Sequence, residues 1–178
     1  MHIRPRRTDD VDALLEMAQL VKAVDGYPPR GPIDLASFLA PPQQLAAWVA
    51  EHDDNVVGHV ALHGAGAAVT TAVAARHTQK QPDELAVVAR VLVSPTARRQ
   101  GVGHALLDTA VAEAQGRGLH PFLDVATELR AAITLYESYG WDWAGEVTIH
   151  LDDEPSLQCF VYVAPPVAVR RQPEVTRR

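Results

Sequence analysis

The sequence predicts an α+β or α/β chain built on one mixed, mostly antiparallel sheet flanked by helices. Three observations lead there. Two apolar runs rich in β-branched residues, "LAVVARVLV" and "HPFLDVA", are each followed by a helical pattern, which favours a parallel pair at the centre of the sheet. "LAAWVAEHDDNVVGHVALHG" reads as a β-hairpin about an Asp-Asp-Asn turn. "WDWAGEVTIHL" and "LQCFVYVA" then close the sheet as an antiparallel pair. At 178 residues one domain is expected, with 1–166 as the folded unit and 167–178 as a flexible basic tail.

Each element has its own signal. "HIRPRR" begins extended. In "TDDVDALLEMAQLVKAV", Thr8 or Asp9 can cap a helix, and acidic residues fill its first turn. Val11, Leu14, Leu15, Ala18 and Val21 recur there at helical spacing. "DGYPPRGP" stops that helix, and "IDLASFLA" predicts a short second one closed by Pro41 and Pro42. The hairpin strands fall near Leu45–Glu51 and Val56–Leu62. Residues 65–83 read either as a short Ala-rich helix or as an elaborated loop. "LAVVARVLV" is nearly continuous in apolar residues, the pattern of a central strand buried on both faces. Leu106, Leu107, Ala110, Val111 and Ala114 form a helical stripe ending at "GRG". After the strand "HPFLDVA", a last helix carries Leu129, Ala132, Ile133 and Tyr136 on one face.

Composition narrows the function classes. Hydrophobic residues are 47% and charged residues 21% of the chain, ordinary values for a globular protein. A net charge of −6 argues against a general nucleic-acid binder. No stretch approaches the roughly 20 apolar residues of a membrane span. The single cysteine, Cys159, excludes a disulfide framework and a Cys-rich zinc site, and fits a cytoplasmic protein.

The stretch "SPTARRQGVGHALL" joins the central strand to the following helix. Free N–H groups and the helix dipole make such a junction an anion site. Gly101 and Gly103 allow close approach to the backbone, and Arg98 and Arg99 add positive charge suited to phosphate. The Lys-Ser/Thr pair of a nucleotide-hydrolysing loop is missing, and so is the third glycine of a dinucleotide fingerprint. "RRQGVG" instead matches R/Q-x-x-G-x-G/A. With "AITLYESYGW" about 30 residues later, the chain resembles the GNAT superfamily of acyltransferases over roughly residues 2–164.

That resemblance implies the GNAT fold, whose two central parallel strands splay apart, and an N-acetyltransferase using acetyl-CoA (coenzyme A). Arg99, Gln100, Gly101, Val102, Gly103 and His104 would cradle its pyrophosphate, with Arg98 beside them. Val91, Leu92 and Val93 would line the pantetheine arm. Tyr136 would face the thioester sulfur as general acid or thiolate stabiliser while an amine attacks the carbonyl directly in a ternary complex. Many relatives carry an asparagine at the start of the last helix, where this chain has Leu129.

The remaining roles come partly from the residues themselves and partly from the resemblance, which implies that the acceptor is selected by "DGYPPRGPIDL" and "WDWAGEVTIHLDDEPSLQ". Glu84, before the central strand, is the expected general base. His59 and His63 share a strand face by period-two spacing and could line the acceptor cleft or serve as bases; a metal site would lack a third ligand. Asp25, Tyr27 and Arg30 could reach the acceptor, and Asp152, Asp153 and Glu154 could attract a cationic one. The expected partner is a small-molecule or peptide amine, with neither nucleic acid nor membrane, and the protein is expected as monomer or homodimer. A noncatalytic coenzyme A-binding module of the same fold is the alternative, and an NTP-binding protein a more distant one.

Overall fold

The computed structural model describes residues 1–28, 34–39, 41, 44–66, 68–150 and 156–165. Among them run β1 (His2–Pro5), α1 (Val11–Asp25), α2 (Leu35–Leu39), β2 (Gln44–His52) and β3 (Asn55–Gly64). There follow α3 (Ala68–Thr78), β4 (Leu85–Val93), α4 (Val102–Gly116), β5 (His120–Ala126), α5 (Arg130–Ser138), β6 (Asp142–Ile149) and β7 (Leu157–Val163). The expected tail, Arg30, Pro42 and the Asp152–Glu154 cluster lie outside the described residues.

The strands form one mixed sheet in the order β1-β2-β3-β4-β5-β7-β6. β4 and β5 are parallel and the other neighbouring pairs are antiparallel. The expected mixed sheet is therefore present, and residues 65–83 resolve in favour of a helix, α3. Ala74 is the reason α3 forms against the sheet. It is fully buried with Val87, Val147, Cys159 and Val161, on a face that β6 and β7 would otherwise expose.

Helices cover both faces of the sheet. On one side Leu14, Met17, Ala18 and Val21 of α1 and Leu39 of α2 pack on Val49 and Leu92. On the other, Leu106, Leu107, Ala110 and Ala114 of α4 pack on Val60, Leu62 and Val88, with Tyr136 of α5 in the same core. Gly58 lets α4 come close to β3: a Cβ there would stand 2.9 Å from both Leu106 Cδ1 and Val102 Cγ1. Near the start of the chain, Arg4 binds both oxygens of the buried Asp10, at 2.7 and 2.8 Å, and Glu51 at 2.6 Å, fixing β1 to the entrance of α1.

One irregularity sets the face pattern of β4. His59 pairs with Leu92 and Ala61 with Ala89, so β4 carries an extra residue opposite β3. This bulge lies at Arg90–Val91, and Arg90 has φ +54°. It shifts the alternation, so that Ala86 and Val88 share a face with Val91 and Val93, while Leu92 turns toward α1. The predicted burial of β4 on both faces holds only for Leu85–Val88, because the strand opens onto a cleft from Ala89 onward.

Candidate active site

β4 and β5 pair only at Leu85–His120, Ala86–Pro121 and Val87–Phe122. Beyond that point β4 stays with β3 while β5 pairs with β7. The β5-facing backbone groups of β4 are thereby left without strand partners over its second half. A cleft of about 1440 Å³ occupies the gap, lined by β4, β5, the end of α1, the end of β3, the start of α4, and α5.

The junction before α4 sits at one end of this cleft. Gly101 caps α4 with φ +81°, and a Cβ there would meet nothing within 4 Å, so its space is open while its backbone favours glycine. The first N–H groups of α4 have no partner within the helix. Arg99, Gly101, Val102, Gly103 and His104 line the cleft. Arg98 also lines it, but its guanidinium is committed to Asp25 at 2.5 and 3.0 Å, in an ion pair that ties α1 to the junction. Within the junction itself, the exposed Arg99 is the arginine in no ion pair among the described residues. His104 stacks on Tyr139 with ring centres 5.7 Å apart, and Tyr139 donates to Asp108. Val91 and Val93 line the cleft.

Tyr136 stands on the α5 wall, 7% exposed, against Trp141 and Tyr162. Burial, and then the nearby Tyr27 and Asp124, push its phenol well above the usual tyrosine range. It therefore remains a proton donor throughout the neutral range. Asp124 lines the cleft from β5, on the same strand face as Phe122, toward α1 and α3.

The opposite wall is built around Arg90. Its Nε donates to the Phe38 carbonyl, its guanidinium carbon lies 4.8 Å from the Phe38 ring centre, and its Nη1 is 3.1 Å from His63 Nε2. His59 Nδ1 is 2.9 Å from the Arg90 carbonyl and donates to it. Burial pulls both histidines down to about 4, with Arg90's charge adding to the shift at His63. Both imidazoles are therefore neutral at pH 7, and His63 receives Arg90 on its free lone pair. Tyr27 packs edge-on against Phe38 at 5.8 Å, and burial raises its phenol to about 12.

The structure brings most of the expected residues together and separates four. Glu84 is exposed on the turn before β4. Its carboxylate accepts from the Gln81 N–H at 2.8 Å and pairs with Lys80 at 3.4 Å, which hold it below the usual carboxylate range. It does not line the cleft, and neither does Gln100, whose amide donates to the Thr96 carbonyl. Leu92 is buried under α1, away from the expected pantetheine path. His59 is fully buried behind the bulge and works as a strut. Asp25 lines the cleft but is paired to Arg98, whereas Tyr27 and His63 line it on the wall around Arg90. The sequence reading missed Arg90 and Asp124. Each is a lone charge in an otherwise apolar strand, "VVARVLV" and "FLDVA", and that is the signal by which they could have been found.

A sheet parted between its two parallel strands, with a helix N-terminus at one end of the gap and a buried phenol on its wall, is the architecture of an acyltransferase. The sequence pattern of the Acetyltransferase (GNAT) family matches residues 13–141, and the chain belongs to that family. Among curated proteins compared by sequence, none matches. Solved structures share the fold. The ribosomal-protein-alanine N-acetyltransferase of Brucella melitensis is 20% identical, with 92% of this chain and 98% of that one covered and a TM-score of 0.65. Salmonella typhimurium yncA, solved with acetyl-CoA, is 16% identical over 98% of both chains at 0.65. Arabidopsis thaliana NAA60 in complex with acetyl-CoA is 16% identical, covering 91% and 96%, at 0.66.

Proposed function

We propose that this protein transfers an acetyl group from acetyl-CoA directly to an amine, in a ternary complex within the gap between β4 and β5. The observation that carries the reading is that gap itself, with Tyr136 on one wall and the start of α4 at its end. Backbone amides from Arg99 to His104 and the Arg99 side chain would hold the pyrophosphate, which suits the open space at Gly101. The unpaired edge of β4, with Val91 and Val93, would receive the pantetheine amides as an added strand. Arg98 supports this site through Asp25 rather than touching the phosphates.

The bound donor supplies an electrophilic thioester carbonyl and a thiolate leaving group. Tyr136 donates a hydrogen bond to the developing thiolate. A phenol near 10 is already a weaker acid than a thiol near 8.5, and burial widens that difference. Full proton transfer to a free thiolate is therefore uphill, and stabilisation by hydrogen bonding is the chemistry this side chain supplies. The attacking amine must first lose a proton. For a lysine-type amine at pH 7 this costs about 4.6 kcal/mol. Asp124 faces the acceptor side of the gap and takes the place expected of Glu84, drawing in the ammonium and passing its proton on through water.

Amine-dependent release of coenzyme A thiol tests the reading. Tyr136→Phe should lower kcat by roughly 10²- to 10³-fold while leaving acetyl-CoA affinity within about a factor of two. Binding of acetyl-CoA with no thiol release across a broad amine panel would instead identify a noncatalytic coenzyme A-binding module.

A further inference from the structure

Arg90 sits in the left-handed backbone region that favours glycine. Its φ of +54° is uncommon for a residue with a side chain, and such outliers concentrate where function constrains them. Four contacts hold it there: the Phe38 carbonyl, the Phe38 ring, His63 Nε2 and, at its own carbonyl, His59 Nδ1. These fix the plane of the guanidinium inside the cleft. They engage Nε and Nη1, while Nη2 meets no acceptor among the described residues.

Every one of these partners is neutral. Arg4, Arg98 and Arg117 each form an ion pair, but no ion pair among the described residues includes Arg90. Burial depresses its pKa, with Tyr27, whose phenol lies close to the Arg90 backbone, and Asp124 acting in the opposite direction. A partly buried guanidinium with no ion pair among the described residues is costly to maintain, and an anionic ligand would lower that cost. Asp124 lines the same cleft from β5, and its charge acts on Tyr136.

We propose that Arg90 anchors a carboxylate of the acceptor, so that the amines acetylated here are amino-acid-like molecules carrying an acid group beside the reacting nitrogen. The assignment rests on the acetyl-transfer reading above. In the bound acceptor, the carboxylate lies on Nη2 of Arg90 and the nitrogen lies toward Asp124 and the thioester. His63, held neutral by its contact with Arg90, adds no second cation, and Tyr27 and Phe38 give the side chain an aromatic wall.

The test is binding of reaction products to coenzyme A-loaded protein by titration calorimetry. N-acetylphenylalanine, N-acetylleucine and N-acetylglutamate are compared with their carboxamides. The acids should bind at least about tenfold more tightly than the amides. Arg90→Gln should erase the difference, and Arg90→Lys should keep part of it. Coenzyme A affinity of each variant reports whether its fold is intact. Turnover of free amino acids against peptides of matched N-terminal residue then separates a small acceptor from a peptide, and preference for the peptide would overturn the small-molecule assignment. Equal binding of acids and amides by wild type, or binding of neither below about 10 mM, would overturn the role of Arg90 while leaving acetyl transfer standing. Failure to take up coenzyme A would remove both.

Discussion

His59 and His63 lie on one face of β3 and meet the same residue at different atoms, one at the Arg90 carbonyl and the other at its guanidinium. Period-two spacing made their shared face legible, but not their task, because the bulge that brings Arg90 between them leaves no mark in the alternation of "VVARVLV". The task has a measurable consequence. His59 is held neutral in the fold, near 4, against 6.5 when unfolded. Between those values the unfolded chain binds more protons, so stability contributed by burying the neutral ring is fully present above 6.5 and is lost as pH falls toward 4. The full loss is on the order of 3 kcal/mol for a shift of this size. Urea midpoints across this range should fall steeply for wild type and less steeply for His59→Gln. Equal slopes would mean that His59 does not titrate with unfolding. Glu84 shows the opposite limit of sequence reading. Its place before the central strand suggested a base, yet its carboxylate closes a local turn onto Gln81, a contact with no periodic signature.

Helices and strands were more legible than side-chain roles. The parallel β4–β5 pair, the hairpin and the closing β6–β7 pair follow from hydrophobic pattern, and β5 begins and ends where "HPFLDVA" does. α3 stayed ambiguous because its apolar face is alanine and threonine, too small to stand out before its burial against β6 and β7 is known. The junction before α4 depends on two contacts between elements. Gly58→Ala places a methyl group 2.9 Å from Leu106 and Val102 and 3.2 Å from the Leu92 carbonyl. It should cost about 1–3 kcal/mol in denaturant unfolding and weaken acetyl-CoA binding, because α4 must move off β3. Asp25 and Arg98 join α1 to the same junction. A double-mutant cycle on Asp25→Ala and Arg98→Ala should show a coupling of about 1 kcal/mol in acetyl-CoA affinity, and additive effects would mean that the pair does not organise the site.

At the scale of the molecule, one sheet is opened between its two parallel strands, and the helix layers divide the resulting cleft. The α4–α5 side presents backbone amides and Tyr136, while the α1–α2 side presents Tyr27, Phe38, His63 and Arg90. No helix among the described residues is long and apolar enough to cross a membrane. The junction at the end of the cleft was legible because it sits in one contiguous stretch, Arg98–His104. The opposite wall was legible only in part, because it is assembled from residues far apart in sequence that meet at a bulge. Thermal unfolding with acetyl-CoA, coenzyme A and ATP at matched concentration tests the central claim most directly. Acetyl-CoA at about 100 times its Kd should add roughly 2.7 kcal/mol of stability and raise Tm clearly, while ATP should change it little. An unchanged Tm with both coenzyme forms, in folded protein and at millimolar ligand, would contradict the claim that this cleft is an acetyl-CoA site.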